Sequence, residues 1–138
     1  MNDFSPRSQK KLEAVHPALR RLFRIVLKHM DCAILEGHRI KELQDIYFDS
    51  KKSKLEWPNS KHNQTPSLAV DVAPYPINWK DEKRFYYFAG IVKGVASQMN
   101  INIRWGGDWD GDTDLNDQTF FDLVHFELVG DEYVEDTQ

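Results

Sequence analysis

The chain has 138 residues, 41% of them hydrophobic and 29% charged, with a net charge of −4 at neutral pH. That is the size of one domain with a buried core, and the acidic balance argues against nucleic acid as the main partner. No stretch approaches the ~18 apolar residues of a membrane span, and MNDFSPRSQKKLEAV lacks the apolar centre of a signal peptide, so synthesis and retention in a cytoplasm without stable membrane association are expected.

SPRSQKKLEAV predicts a first helix, with Ser5 as N-cap and Pro6 at the first helical position. Val15-His16-Pro17 breaks it, because the residue before a proline avoids the helical region. A second helix starts at Pro17, with Leu19, Leu22, Phe23, Val26 and Leu27 on one face. CAILEG is a short strand ending at Gly37. It contains the only cysteine, Cys32, read as a small core residue. A single cysteine excludes an internal disulfide and a CxxC zinc site, so any metal site must use histidine and carboxylate. IKELQDIYFDS predicts a helix ending near Ser50, and KKSKLEWPNSKHNQTPS a polar loop. LAVDVAPY is a strand stopped by Pro74 and Pro76. KDEKRFYYFAGIVKGVASQMN is a helix with Phe85, Phe88, Ile91, Val92 and Val95 as its apolar stripe. INIRW is a half-buried strand, GGDWDGDTDLNDQ a loop, FFDLVHFELV the last strand, and GDEYVEDTQ an acidic tail expected to fray. The sum is an α+β fold in one domain over residues 1–138, with helices packed on a small, mainly antiparallel sheet.

Two of the strands carry charge where apolar residues belong. Asp71 interrupts LAVDVAPY, and Asp122 and His125 interrupt FFDLVHFEL. A lone buried carboxylate costs several kcal/mol unless it is paired or bound to a metal. With His62 just upstream, the inventory is two imidazoles and one carboxylate, which suits Zn²⁺ with three protein ligands. A catalytic zinc keeps a fourth position for water and lowers its pKa from about 15.7 to about 7. Asp122 is then a general base and acid. In a regular strand, however, Asp122 points away from His125; a bend or bulge near Leu123-Val124 is needed to bring them together. Spacing alone is equally compatible with His62 as a solvated loop residue and His125–Asp71 as a core hydrogen-bonded pair.

SKHNQTPSLAVDVAPY together with DLVHFEL resembles the M15 zinc peptidases of the D-alanyl-D-alanine carboxypeptidase type, and more closely the phage L-alanyl-D-glutamate endopeptidases that act as endolysins. The matching positions are Ser60, His62, Ala69, Asp71, Asp122 and His125. EGHRIKELQ resembles the family's Gly-x-Arg segment and following Gln, giving Gly37, Arg39 and Gln44, and RWGGDW resembles the stretch before the last strand. The resemblance implies zinc on His62, Asp71 and His125, Asp122 as base and acid, and Arg39 as the cation that steadies an oxyanion. It implies the α+β fold shared with hedgehog-type domains and hydrolysis of peptidoglycan stem peptide. The His62-to-Asp71 loop, NQTPSLAV, departs from the shorter, glycine-bearing family form, which leaves bond choice open.

The resemblance further implies a monomeric lysin, made in the host cytoplasm and reaching the wall through a holin pore. A D-alanyl-D-alanine carboxypeptidase and a non-catalytic wall-binding or virion module are the competing readings. Glu127 shares a strand face with His125 and either orients it or faces solvent. Trp105 and Trp109 are candidates for a substrate groove, with core packing favoured for Trp105, and Gln44 is read from its helix as solvated. The aspartates Asp108, Asp110, Asp112 and Asp114 alternate like a calcium loop. An EF-hand needs glycine sixth and glutamate twelfth, and Gly111 and Thr119 stand fourth and twelfth, so an EF-hand is excluded. What remains is a solvated acidic loop or a weak, irregular Ca²⁺ site.

Overall fold

A computed structural model describes residues 2–116 and 121–133. Its elements, in chain order, are α1 (Pro6–Leu12), α2 (Pro17–His29), β1 (Cys32–Glu36), α3 (Lys41–Asp49), β2 (Ala69–Pro74), α4 (Glu82–Gln98), β3 (Ile103–Gly106) and β4 (Asp122–Leu128). The strands form one antiparallel sheet in the order β1-β2-β4-β3. This is the α+β architecture expected from the sequence.

Ser5 caps α1 by accepting the Ser8 N–H. The helix stops at Leu12, short of the expected Val15, because Ser67 captures the chain there. Ser67 N donates to Ala14 O, and His16 N donates to Ser67 O. His16 then caps α2, its Nδ1 accepting the Ala18 N–H at 3.0 Å. The stripe on α2 is buried as expected. On α4, Phe85, Phe88 and Val92 are buried together with Ala89 and Ala96, while Ile91 and Val95 pack at the margin. Helices α2 and α4 pack on each other, and α4 lies across the sheet. Phe126 of β4 is the meeting point, edge-on to Phe23 and Phe88 with ring centroids 5.5 and 6.1 Å away.

Side chains alternate along each strand. Val70, Val72, Phe126, Leu128 and Trp105 enter this core. Asp71, His125, Glu127 and Arg104 therefore occupy the opposite face. Register aligns them: Asp71 lies across from His125, and Glu127 from Arg104.

One expectation for the irregular segments is corrected. The polar loop contains a 3₁₀ turn, Lys61–Asn63, closed by a reciprocal cap in which Ser60 Oγ accepts from His62 N and Asn63 Oδ1 accepts from Ser60 N. The tail begins with a second 3₁₀ turn, Asp131–Tyr133, where Tyr133 Oη accepts the Asn102 N–H at 2.9 Å. The rest of the expected frayed tail, 134–138, lies outside the described residues, as do Asp117 and Gln118 of the acidic loop, Thr119, and Phe120 of the last strand.

Candidate metal centre

His62 stands on the 3₁₀ turn, Asp71 on β2 and His125 on β4. One ligand atom of each lies within 4.8 Å of the others. Hydrogen bonds on the far side of each ring decide what the near side presents. His62 Nδ1 donates to the Gly37 carbonyl at 2.7 Å, which leaves Nε2 directed at Asp71 Oδ1, 3.2 Å away. His125 Nε2 donates to Glu127 Oε1 at 2.8 Å, which leaves Nδ1 at 3.3 Å from the same Asp71 oxygen. Each ring thus turns one nitrogen toward the same Asp71 oxygen in a buried place, a donor set that suits a bound cation. Tetrahedral zinc with bonds of about 2.05 Å places neighbouring ligand atoms about 3.3 Å apart, and the observed 3.2 and 3.3 Å match that edge.

Electrostatics point the same way. Burial opposes ionisation of Asp71, but the His62 charge and the hydrogen bonds of both histidines outweigh it and hold the carboxyl well below the usual range. Burial likewise disfavours a charged His125, yet hydrogen bonds to Asp71 and Glu127 push it up to about 9. A proton is thus one occupant of the cluster, and a divalent metal competes with it.

The glycine of the EGHR segment has a packing reason. A Cβ on Gly37 would lie 2.7 Å from Lys11 O and 2.8 Å from the Val15 side chain. Only glycine lets the chain pass so close to α1 and offer its carbonyl to His62.

Asp122 reaches the centre through the irregularity that regular alternation forbids. Trp105 pairs with Phe126, but the next residue, Gly106, pairs with Asp122, so the intervening β4 residues bulge. A Cβ on Gly106 would sit 2.1 Å from Asp122 O, so the bulge depends on glycine there. Asp122 lines a cavity of about 500 Å³ with His62, His125, Arg39 and Trp109. Burial and then the Asp71 charge push its carboxyl up, the direction a general acid–base group needs.

Arg39 is not a solvated surface residue. It is 7% exposed and clamped: Nε and Nη2 donate to Glu36 at 2.7 and 3.0 Å, and Nη1 donates to Gln44 Oε1 at 2.9 Å. The Tyr47 ring lies 4.6 Å from its Cζ. Three of a guanidinium's five N–H groups are engaged, leaving two for the cavity it lines.

The sequence matches the family described as phage L-alanyl-D-glutamate peptidase over residues 1–129. The chain belongs to that family. It is 29% identical to the L-alanyl-D-glutamate peptidase of Escherichia phage T5, covering 91% of this chain and 97% of that protein. Its fold superposes on the Serratia marcescens L-Ala D-Glu endopeptidase ChiX with a TM-score of 0.74 and 26% identity, over 96% of this chain and 94% of that one. The protein is thus an enzyme, a peptidase.

Other positions in the peptidase resolve differently from one another. Gln44 is fully buried, not solvated as its helical position suggested: besides Arg39, Oε1 accepts from Asn63 Nδ2, and Nε2 donates to Ser53 Oγ and Leu55 O. Glu127 faces His125 rather than solvent, and Lys61 holds its other oxygen at 3.1 Å. Trp105 is core, donating Nε1–H to Leu123 O, whereas Trp109 stands 5.3 Å from the His125 ring and lines the cavity. In the acidic loop, Asp108, Asp110 and Asp112 bring carboxylate oxygens within 4.8 Å of one another, without Asp114. Backbone N–H groups take one oxygen of Asp108, Asp112 and Asp114, while Asp108 Oδ1 is buried without a hydrogen-bond partner among the described residues.

Proposed function

We propose that this peptidase hydrolyses the L-alanyl-D-glutamate bond of peptidoglycan stem peptides, with Zn²⁺ held by His62, Asp71 and His125. The observation that carries the reading is the convergence of His62 Nε2 and His125 Nδ1 on Asp71 Oδ1 at a tetrahedral edge length. Zinc bound there supplies Lewis acidity toward the scissile carbonyl and an activated water. Glu127 and the Gly37 carbonyl hold the two rings in the ligating tautomer and orientation. Asp122 takes the proton from the attacking water and delivers it to the leaving amine. Arg39, fixed by Glu36 and Gln44, turns its remaining N–H groups on the oxyanion as it develops.

In this reading the chain acts as a monomeric, single-domain lysin, made in the host cytoplasm and passed to the wall through a separate pore of the holin type. Among the described residues, no helix is long and apolar enough to cross a membrane. The acidic loop is a second, weak cation site, with Ca²⁺ on Asp108, Asp110 and Asp112; the Asp108 oxygen without a partner among the described residues supports it.

Mass spectrometry of fragments released from purified peptidoglycan tests the activity. New L-alanine C-termini and D-glutamate N-termini are expected. Release of terminal D-alanine would instead indicate a carboxypeptidase, and wall binding without release a non-catalytic module.

A further inference from the structure

The cavity carries a charge distribution that the catalytic reading does not use. The chain is net acidic, yet Lys52, Lys54 and Arg104 stand on this one cavity beside Arg39 and Lys61. Arg39 is clamped by Glu36 and Lys61 by Glu127. Arg104 is held far less firmly. Register on β3 opposite Glu127 turns it to the metal face, while Trp105 beside it packs in the core. Its Nη1 reaches Glu127 Oε2 only at 3.5 Å, and that carboxylate already receives His125 at 2.8 Å and Lys61 at 3.1 Å. The Arg104 side chain is 41% exposed. Among the described residues the result is a guanidinium fork with open donors, a shape suited to a carboxylate.

Position gives the fork a place along the substrate. The ligands stand on the inner strands β2 and β4 and beside them, Arg39 follows β1 at one side, and Arg104 is on β3 at the other. An oxyanion held by Arg39 therefore leaves Arg104 on the far side of the metal. A D-glutamyl residue has two carboxyl groups. Joined to the next residue through its side chain, it keeps the α-carboxylate as a free anion on the carbon next to the scissile nitrogen.

We propose that Arg104 binds this free α-carboxylate on the leaving-group side, so that the peptidase selects stem peptides in which it is ionised over those in which it is amidated. The proposal rests on the L-alanyl-D-glutamate reading above. Lys52 and Lys54 raise the local positive potential without fixing the anion's position.

Three synthetic stem peptides test it: one with the D-glutamyl α-carboxylate free, one with it as carboxamide, and one with only the third residue's carboxyl amidated. Wild-type protein should prefer the first over the second by about tenfold or more in kcat/KM, the range of a charge-assisted hydrogen bond. Arg104→Gln should bring that preference close to one, and Arg104→Lys should keep part of it. Amidation at the third residue should cost wild type and Arg104→Gln alike. An intact preference in Arg104→Gln overturns the proposal, as does an equal loss on the first two peptides. It is also overturned if only the third-residue effect disappears, because the fork then serves the other carboxylate. Wild-type cleavage of both without preference defeats this inference alone. Cleavage of neither defeats the parent reading and this inference with it.

Discussion

Gln44→Leu removes the hub that ties Arg39 to the metal side of the fold. The replacement is close in volume, so packing changes little, but four hydrogen bonds go: two accepted by Oε1 from Arg39 and Asn63, and two donated by Nε2 to Ser53 and Leu55. The Ser53 and Leu55 oxygens are near solvent and can recruit water. The Arg39 and Asn63 donors are buried and cannot, and each unmet donor costs about 1–3 kcal/mol. Asn63 keeps its bond to Arg39 O, and Arg39 keeps Glu36. The expected loss is therefore about 2–5 kcal/mol. Urea denaturation at fixed Zn²⁺ reads it as a lowered midpoint with unchanged slope. A change within about 0.5 kcal/mol, the behaviour of a solvent-facing helical residue, would refute the hub.

Asp122→Asn keeps the shape but cannot accept a proton; kcat should fall about 10²–10⁴-fold with zinc content retained, and near-normal turnover would move the base to Glu127. Arg39→Met should lower kcat by about 10²–10³-fold with zinc still bound, with Lys a partial rescue because it lacks the planar fork. Burial, reinforced by Asp31, pushes the Cys32 thiol from 9.0 up to about 12. Below pH 9.0 the thiol is neutral whether folded or unfolded and contributes nothing; between 9.0 and about 12 only the unfolded chain ionises, so stability falls as pH rises. At pH 8 a thiol reagent should label the native protein far more slowly than the urea-unfolded chain, and equal rates would contradict the burial.

The convergence of Asp71 and His125 was legible because both break apolar runs, and pairing of their strands then puts them on one face. The helices were legible from their stripes and from the Ser5-Pro6 start. Asp122 was the opposite case. Period-two logic turns it away, and the correcting bulge arises from the close approach of Gly106 on another strand, which no local pattern encodes. Gln44 was misread for a related reason. A polar residue on a short helix looks solvated until the 53–55 segment folds over it and Arg39 and Asn63 arrive from other elements. The Lys61–Asn63 turn had a local signature, Ser60 three residues before Asn63, which the proline-bearing loop around it masked. Arg104 carried no signal at all: its role depends on register opposite Glu127 and on what already occupies that carboxylate.

On the proposed reading, His62, Asp71 and His125 hold a functional zinc. Metal analysis of the purified protein, run alongside His62→Ala and His125→Ala, measures it most directly. About one Zn²⁺ per chain is expected, removed by a chelator together with activity and with a drop in Tm, and absent from both variants. A wild-type protein that carries no zinc and cleaves peptidoglycan undiminished in chelator would contradict the account.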